Sequence, residues 1–371
     1  MTLPAHVRAL AVHAGYACQR TGACCARGWP IPVEDQPARL LRDGGLGCGI
    51  VDDRLGRDRT GRCVFLEGEV GAGTACRVQG SLGVAAMPTS CRHFPRLYCL
   101  DPTGTALTLS HACRTVAGDL DHAQAEAGEE TIVEMSPSRL PAPPEGLDGR
   151  GVMPPLLAPG VLTSWEALSL WEELAAATLL RRGANALEAL AHVVDAAERV
   201  RRWRPGEGAL RASVKMAFSQ AGPVRSGALA AMMAEPGTID TLRQRIVSDL
   251  PAGNRSLWDD GGARPLSGPL PWEVADAGVR RFLASHAWAS WPGRMGGGVR
   301  TAAANVVVAL AILVGELSHH GEPVRLAPAA TRTDVLLRHL ASPRALADFL
   351  SGVETGAGEF PPSVAAVWPA A

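Results

Sequence analysis

Lysine is nearly missing from this 371-residue chain: Lys215 is the only one among 36 basic side chains, so arginine carries almost all of the positive charge. A GC-rich coding sequence accounts for that bias without any functional reason. The acidic residues number 37, which leaves a formal net charge of −1. A balance so close to neutral gives no electrostatic case for nucleic acid or an anionic membrane surface as partner. A long apolar run is missing too. The most apolar stretch, Ala302 to Leu317, contains Asn305 and Glu316 and falls short of the roughly 20 apolar residues that a spanning helix needs. It is expected to be a buried core helix, with no membrane span. Met1 to Tyr16 carries Arg8 and two histidines and has no apolar segment followed by a small-residue cleavage site. A secretory leader is therefore not expected, and a cytoplasmic location is. No internal repeat, HExxH string, phosphate loop or serine, histidine and carboxylate constellation offers a competing enzyme reading. Cysteine is absent after Cys113.

What the chain does have is cysteine in one place. All nine lie between Cys18 and Cys113, namely Cys18, the adjacent Cys24 and Cys25, then Cys48, Cys63, Cys76, Cys91, Cys99 and Cys113. A disulfide framework, a zinc site and an iron–sulfur cluster compete to explain them. In a reducing cytosol clustered thiols bind metal or do chemistry more often than they form bridges, and an odd number would leave one unpaired. The window is rich in glycine and in short apolar pieces such as Cys63-Val-Phe-Leu66, so little regular structure is expected in it. Such segments bury little apolar surface and are commonly held by metal. Spacing leaves zinc and iron–sulfur both open: paired CxxC knuckles are absent, and adjacent cysteines suit two metal atoms of one cluster as well as one tetrahedral ion. His93 and His111, within two residues of Cys91 and Cys113, could replace a thiolate, but are expected beside the ligands or at the surface.

The rest of the chain reads as helix. A content of 47% hydrophobic and 20% charged residues is enough for a sizeable core. Ser136 to Gly160 is rich in proline and glycine and reads as a linker or an extended wrapping segment. Thr163 and Glu166 suggest a capping box, after which Leu168, Trp171, Ala175 and Leu179 share a face. Gly183 breaks that helix. A second carries Leu187, Leu190, Val194 and Ala197 inward with Glu188, Glu198 and Arg201 outward, and ends by Pro205 and Gly206. Further helices are expected over Pro271 to Trp288, closed by Trp291, Pro292 and Gly293, and over Asp334 to Leu340 and Pro343 to Leu350. The expected fold is mainly α. It comprises a loop-rich cysteine-cluster metal domain over 1–125, a Pro/Gly-rich linker over 126–161 and a helical domain over 162–371.

The string Cys18-Gln-Arg-Thr-Gly-Ala-Cys24-Cys25-Ala-Arg-Gly-Trp29, followed by Cys63-Val-Phe-Leu66, Cys76, Cys91-Arg-His-Phe-Pro-Arg96 and Cys113, resembles the family of zinc- or iron-chelating proteins named for a CxxCxxCC motif. Within that family it is most similar to the flagellin lysine N-methylase branch. The resemblance covers about the first third of the chain and carries over Cys18, Cys24, Cys25, Cys63, Cys76, Cys91 and Cys113 as metal ligands. Cys48 and Cys99 fall outside it. Thr21 stands where the motif has its second cysteine, so the opening reads CxxTxxCC and the site need not be identical across the family.

The resemblance implies transfer of a methyl group from S-adenosylmethionine to lysines of a protein substrate, flagellin-like or another surface protein. That reaction needs a neutral amine, so the site must desolvate the lysine or offer a base. Glu34 and Asp35 are candidates for the base or for ribose contacts, though such a pair more often opens a helix. The glycine-rich Glu69-Val-Gly-Ala-Gly-Thr-Ala-Cys76 lacks the strand and helix of a nucleotide loop and reads as a turn. Two other classes remain open on the residues alone: a metal-stabilised binding module without catalysis, and an iron–sulfur redox protein.

Overall fold

The computed structural model describes residues 6–368 apart from 71–72, 122–130, 182, 251–253, 255–275, 296–297, 320–325 and 356–361. The fold is mainly helical and is built on one five-stranded mixed sheet. Across that sheet the strands run Ile132–Met135, Val7–Leu10, Gly104–Leu109, Arg96–Asp101 and Leu147–Asp148. The hairpin at its centre pairs Arg96 with Leu109 and Asp101 with Gly104. The Asp101 carboxylate closes the turn by accepting the Thr103 backbone N–H at 2.7 Å, a local bond that aspartate makes readily in turns. Val7–Leu10 runs parallel to Gly104–Leu109 and antiparallel to Ile132–Met135.

Side-chain alternation divides the sheet into two faces. Leu10, Cys99 and Ala106 enter the large core shared with the helices. Val7, Ala9, Tyr98, Leu100, Leu107 and Leu109 enter a second core with Cys113, Val116 and Met135. The helical half packs around Gly298–His319, the longest helix, whose residues 301–317 are all buried. It is long and apolar enough to cross a membrane, but 94% of its apolar window is buried by protein. A helix covered on every side must satisfy its polar groups internally. The amide of Asn305 accordingly donates to the His286 carbonyl at 3.2 Å, and Arg332 pairs with Glu316.

Sheet and helices are bonded directly to each other. The Trp288 indole donates to the Leu107 carbonyl at 2.9 Å, and the Thr108 hydroxyl donates to the Ser285 carbonyl at 3.2 Å. A buried ion triad fastens one end: Arg294 reaches Glu172 at 2.7 Å and also pairs with Asp101, and all three are at most 8% exposed.

Several expectations change. The cysteine window is not merely loops, because its last third supplies the central hairpin. The cue was two short β-prone runs, Leu97–Leu100 and Thr105–Leu109, on either side of the turn residues Asp101, Pro102 and Gly104. The Pro/Gly-rich segment is of the extended, wrapping kind, and its strand Leu147–Asp148 extends the sheet along Cys99–Leu100; residues 126–130 lie outside the described residues. Helix Trp165–Leu180 is capped by Ser164, whose hydroxyl accepts the Ala167 N–H, one position after the expected Thr163. The capping box occurs instead at Asn185 and Glu188. Glu198 points inward, at 2% exposure, because Arg300 of the central helix meets it at 2.7 Å. Trp291, Pro292 and Gly293 open a short helix, Trp291–Met295, where a stop was expected. Helix Leu326–Asp334 runs into a π turn, Val335–Leu340. Pro271 to Ala275 lie outside the described residues.

Candidate metal centre

The loop carrying the adjacent cysteines is positioned by a close backbone approach. Gly22 adopts φ +70°, and a Cβ there would lie 2.6 Å from the Thr74 side chain. Only glycine tolerates both conditions. Across this contact the Thr74 N–H and hydroxyl both donate to the Arg20 carbonyl, at 2.7 and 2.8 Å. Residues 20–25 are thereby laid beside the strand Ala75–Cys76. That strand pairs with Leu66–Glu67, matching Cys76 to Leu66. The Cys63 N–H in turn donates to the Cys25 carbonyl at 2.9 Å.

Four backbone stretches thus bring Cys25, Cys63, Cys76 and Cys91 to the edge of one small core, and Cys24 stands beside Cys25. Cys63 belongs to a small core built on Leu41, Phe65 and Val78, and Cys25, Cys76 and Cys91 pack against it. The thiols also influence one another's ionisation. Burial pushes Cys91 up to about 12, and Cys63, Cys76 and Cys24 add to the rise. Burial likewise raises Cys63, with Cys76 and Cys24 contributing. The adjacent pair polarises: a hydrogen bond from Cys25 brings Cys24 down to about 7, while Cys25, the donor, is raised. Arg57 supplies positive charge next to Cys63 and Cys91 and donates to the Cys25 carbonyl at 2.9 Å.

The donor chemistry fits a thiophilic metal. The Cys24 and Cys25 sulfurs stand 3.9 Å apart, close to the edge of about 3.8 Å of a sulfur tetrahedron with metal–sulfur bonds of about 2.3 Å. Among the described residues, however, no three His, Cys, Asp or Glu side chains are drawn together as a ligand set. The thiols share a neighbourhood without a closed coordination sphere.

The other sequence candidates go elsewhere. Cys113 is buried in the second core, with its sulfur 3.6 Å from the Tyr16 hydroxyl. Cys18 is exposed and accepts the Arg20 N–H at 3.4 Å. Cys48 is exposed, and Cys99 is buried in the sheet with its thiol donating to the Ala289 carbonyl at 3.4 Å. His93 and His111 are both buried, at 4% and 1% exposure, and neither is a surface residue. Asp35 opens helix Asp35–Asp43, and the Glu34 carboxylate accepts the Thr89 N–H at 3.2 Å. The glycine-rich segment from Glu69 leads from the strand Leu66–Glu67 to the strand Ala75–Cys76, and Gly71 and Ala72 within it lie outside the described residues.

Two further features were not legible in sequence. The first is a cavity of about 450 Å³ lined by His13, Tyr16, Leu109, His111, Val116 and Arg281. Burial holds both imidazoles neutral: His111 is pushed down to about 3, and His13 lies well below its usual value. The second is a polar junction around Asp334. Its carboxylate accepts the Ser110 hydroxyl and the His111 N–H, each at 2.7 Å, and lies 2.9 Å from His286 and 3.4 Å from Arg338. His339 contacts the Ser110 hydroxyl from the other side at 2.7 Å. This is not a nucleophile triad, because the aspartate grips the serine and the serine is fully buried. The participants come from residues up to 229 apart, so no local spacing announced them.

No protein-family model matches the chain, and no curated protein or solved structure matches it either.

Proposed function

We propose that this chain is a cysteine-cluster metal protein in which Cys24, Cys25, Cys63, Cys76 and Cys91 provide the ligands of an iron–sulfur cluster or a zinc ion. The observation that carries the reading is the gathering of four thiols, from four stretches of backbone, around one small core, with Cys24 3.9 Å from Cys25 beside it. Bound there, the metal supplies thiolate cross-links that a core of that size lacks. Protein purified without oxygen is expected to carry iron with sulfide, or zinc, by absorption spectrum and metal analysis. Cys63→Ser and Cys91→Ser should lose it while Cys48→Ser keeps it. A wild-type protein that is metal-free under those conditions overturns the reading.

The reading extends to transfer of methyl groups from S-adenosylmethionine to a protein lysine, the activity implied by the family that the cysteine string resembles. The cavity beside His13 and His111 supports it physically. A wall that keeps two imidazoles neutral would also favour the uncharged form of an entering lysine amine, the form able to attack the methyl group. Imidazoles held so far down are poor bases at neutral pH, so desolvation and not proton abstraction is the contribution expected of this wall. Calorimetry with S-adenosylmethionine and labelled methyl transfer to a filament or surface protein test this step. Absence of binding by metal-replete protein would leave a non-catalytic, metal-stabilised binding module.

A further inference from the structure

Positive charge is gathered in one segment of the helical body. Residues 199–225 hold seven basic side chains against one acid, Glu207, in a chain whose net charge is −1. The loop between helices Ala186–Val200 and Leu210–Gln220 turns the chain back, and the two helices pack together. Arg199 and Arg202, at the end of the first, therefore share one end of the body with Arg211 and Lys215, in the opening turns of the second. The loop is closed by the Trp203 indole, which donates to the Gly208 carbonyl at 3.2 Å, and by the Arg204 N–H, which donates to the Glu207 carboxylate at 3.1 Å.

The fold leaves most of this charge open. Arg199, Arg202, Arg204, Arg211 and Lys215 are all exposed. Among the described residues, only the Arg199 side chain of these five meets a carboxylate, that of Asp195 at 2.9 Å. The Arg204 guanidinium donates to the carbonyls of Arg201, Arg202 and Trp203, which leaves its charge uncancelled. Arg211 and Lys215 lie four residues apart on the exposed side of their helix, whose other side buries Val214, Ala217 and Phe218. Like charges at that spacing destabilise a helix, and a cation in the first turn, where Arg211 stands, opposes the helix dipole. Neither placement favours the folded chain by itself; both favour a surface that meets negative charge. Apolar side chains accompany the cations, for Met216 is 53% exposed and Val224, on the loop that follows, 75%. The aromatic side chains turn the other way: Phe218 is buried, and Trp203 packs against the main core. Nucleic-acid bases therefore find no ring to stack on, and a bilayer interface no aromatic anchor, whereas arginine and methionine are both enriched where proteins meet. We propose that this face docks an acidic segment of a partner protein, whose carboxylates pair with Arg202, Arg211 and Lys215 and whose apolar side chains cover Met216. The inference is independent of the metal centre and of methyl transfer.

The test uses full-length protein and a short fluorescein-labelled peptide in which glutamates alternate with leucines, read by fluorescence anisotropy. The peptide should bind at low ionic strength, weaken as salt is added and fail to bind when glutamines replace its glutamates. Arg211→Glu with Lys215→Glu should weaken binding about tenfold or more, since like charges then face each other, and circular dichroism should stay unchanged because both positions are exposed. Arg59→Glu with Arg139→Glu, which alters the net charge equally at exposed positions elsewhere, should leave binding at the wild-type level. Lys215 is the only lysine, so carbodiimide coupling of a docked peptide carboxylate should form an amide on that side chain. Equal loss in the two double variants, coupling at the chain terminus alone, or no binding at low salt overturns the proposal. So does tighter binding of oligothymidine or of phosphatidylserine vesicles that the Arg211→Glu, Lys215→Glu protein loses, which would assign the face to a nucleic acid or a membrane.

Discussion

The indole of Trp29 lies flat on the imidazole of His339, with ring centroids 4.9 Å apart and planes 14° from parallel. Phe94 closes on both rings, at 5.4 Å from Trp29 and 5.9 Å from His339. On one side of the stack, Arg57 donates to the carbonyls of Trp29 and Cys25. On the other, His339 meets Ser110, which is bound to Asp334. A continuous set of contacts therefore runs from the cysteine centre to the polar junction of the helical body. Trp29 follows the cysteine pair by four residues, so its packing fixes the orientation of the ligand loop.

Removing that stack should cost stability through coupling and not only through lost area. Trp29→Ala and His339→Ala, combined in a double-mutant cycle, are expected to show an interaction of about 0.5–1.5 kcal/mol beyond the single effects. Urea unfolding at neutral pH measures it. Additive single effects would mean that the rings touch without contributing jointly.

The junction around Asp334 predicts an acid-sensitive fold. Burial, aided by Arg338, lowers His286 to about 4, whereas an unfolded histidine titrates near 6.5. The unfolded chain therefore binds the extra proton between those values. The stability contributed by neutral His286 is complete above about pH 6.5 and falls as the pH drops toward 4, by about 1.4 kcal/mol per unit for one proton. Asp334 continues the trend at lower pH. Burial alone would raise it, but Arg338, His286 and His111 hold it well below the usual carboxylate range, so its contribution is present above about pH 4 and is lost under stronger acid. His286→Gln should flatten the slope of urea midpoint against pH between 6.5 and 4. An unchanged slope would place the acid sensitivity elsewhere.

The helical half was legible because its signals are local. Leu187, Leu190, Val194 and Ala197 recur at helical spacing and are buried as expected. Glu198 deceived because its partner, Arg300, is distant in sequence, and charge on a helix normally means solvent. Crowding in the sequence led to the expectation that seven cysteines meet at one point; Cys25, Cys63, Cys76 and Cys91 border one small core without forming a ligand group among the described residues, and Cys113 enters another core. Sequence proximity treats all seven alike, whereas the sheet directs Cys113 into a different core. The Asp334 junction and the Trp29 stack are long-range contacts, and neither has a spacing to read.

Gly22 offers a test of how the ligand loop is held. Gly22→Ala brings a methyl group to 2.6 Å from Thr74 and places a side chain at φ +70°. An expected cost of about 1–2 kcal/mol for the conformation alone would be relieved by loosening the bonds from Thr74 to the Arg20 carbonyl. Metal content should fall while the helical circular dichroism signal stays within a few per cent of wild type. A fully loaded Gly22→Ala protein would show that Cys24 and Cys25 reach the centre without this contact.

Metal removal should separate the cysteine lobe from the helical body. The lobe core rests on few large side chains, chiefly Leu41, Phe65 and Val78, while the helical body has the continuous core around Gly298–His319. If thiolate cross-links carry much of the stability of the lobe, chelation under reducing conditions should expose its arginines to trypsin, with early cuts at Arg27, Arg57 and Arg62. Most of the helical signal should persist, because the helices keep their burial. Cys24→Ser with Cys25→Ser should reproduce that cleavage pattern without chelator. Resistance of both treated proteins would show that the core around Phe65 suffices without metal. Simultaneous loss of lobe and helices would show that Trp29, His339 and the Asp334 junction weld them into one cooperative unit.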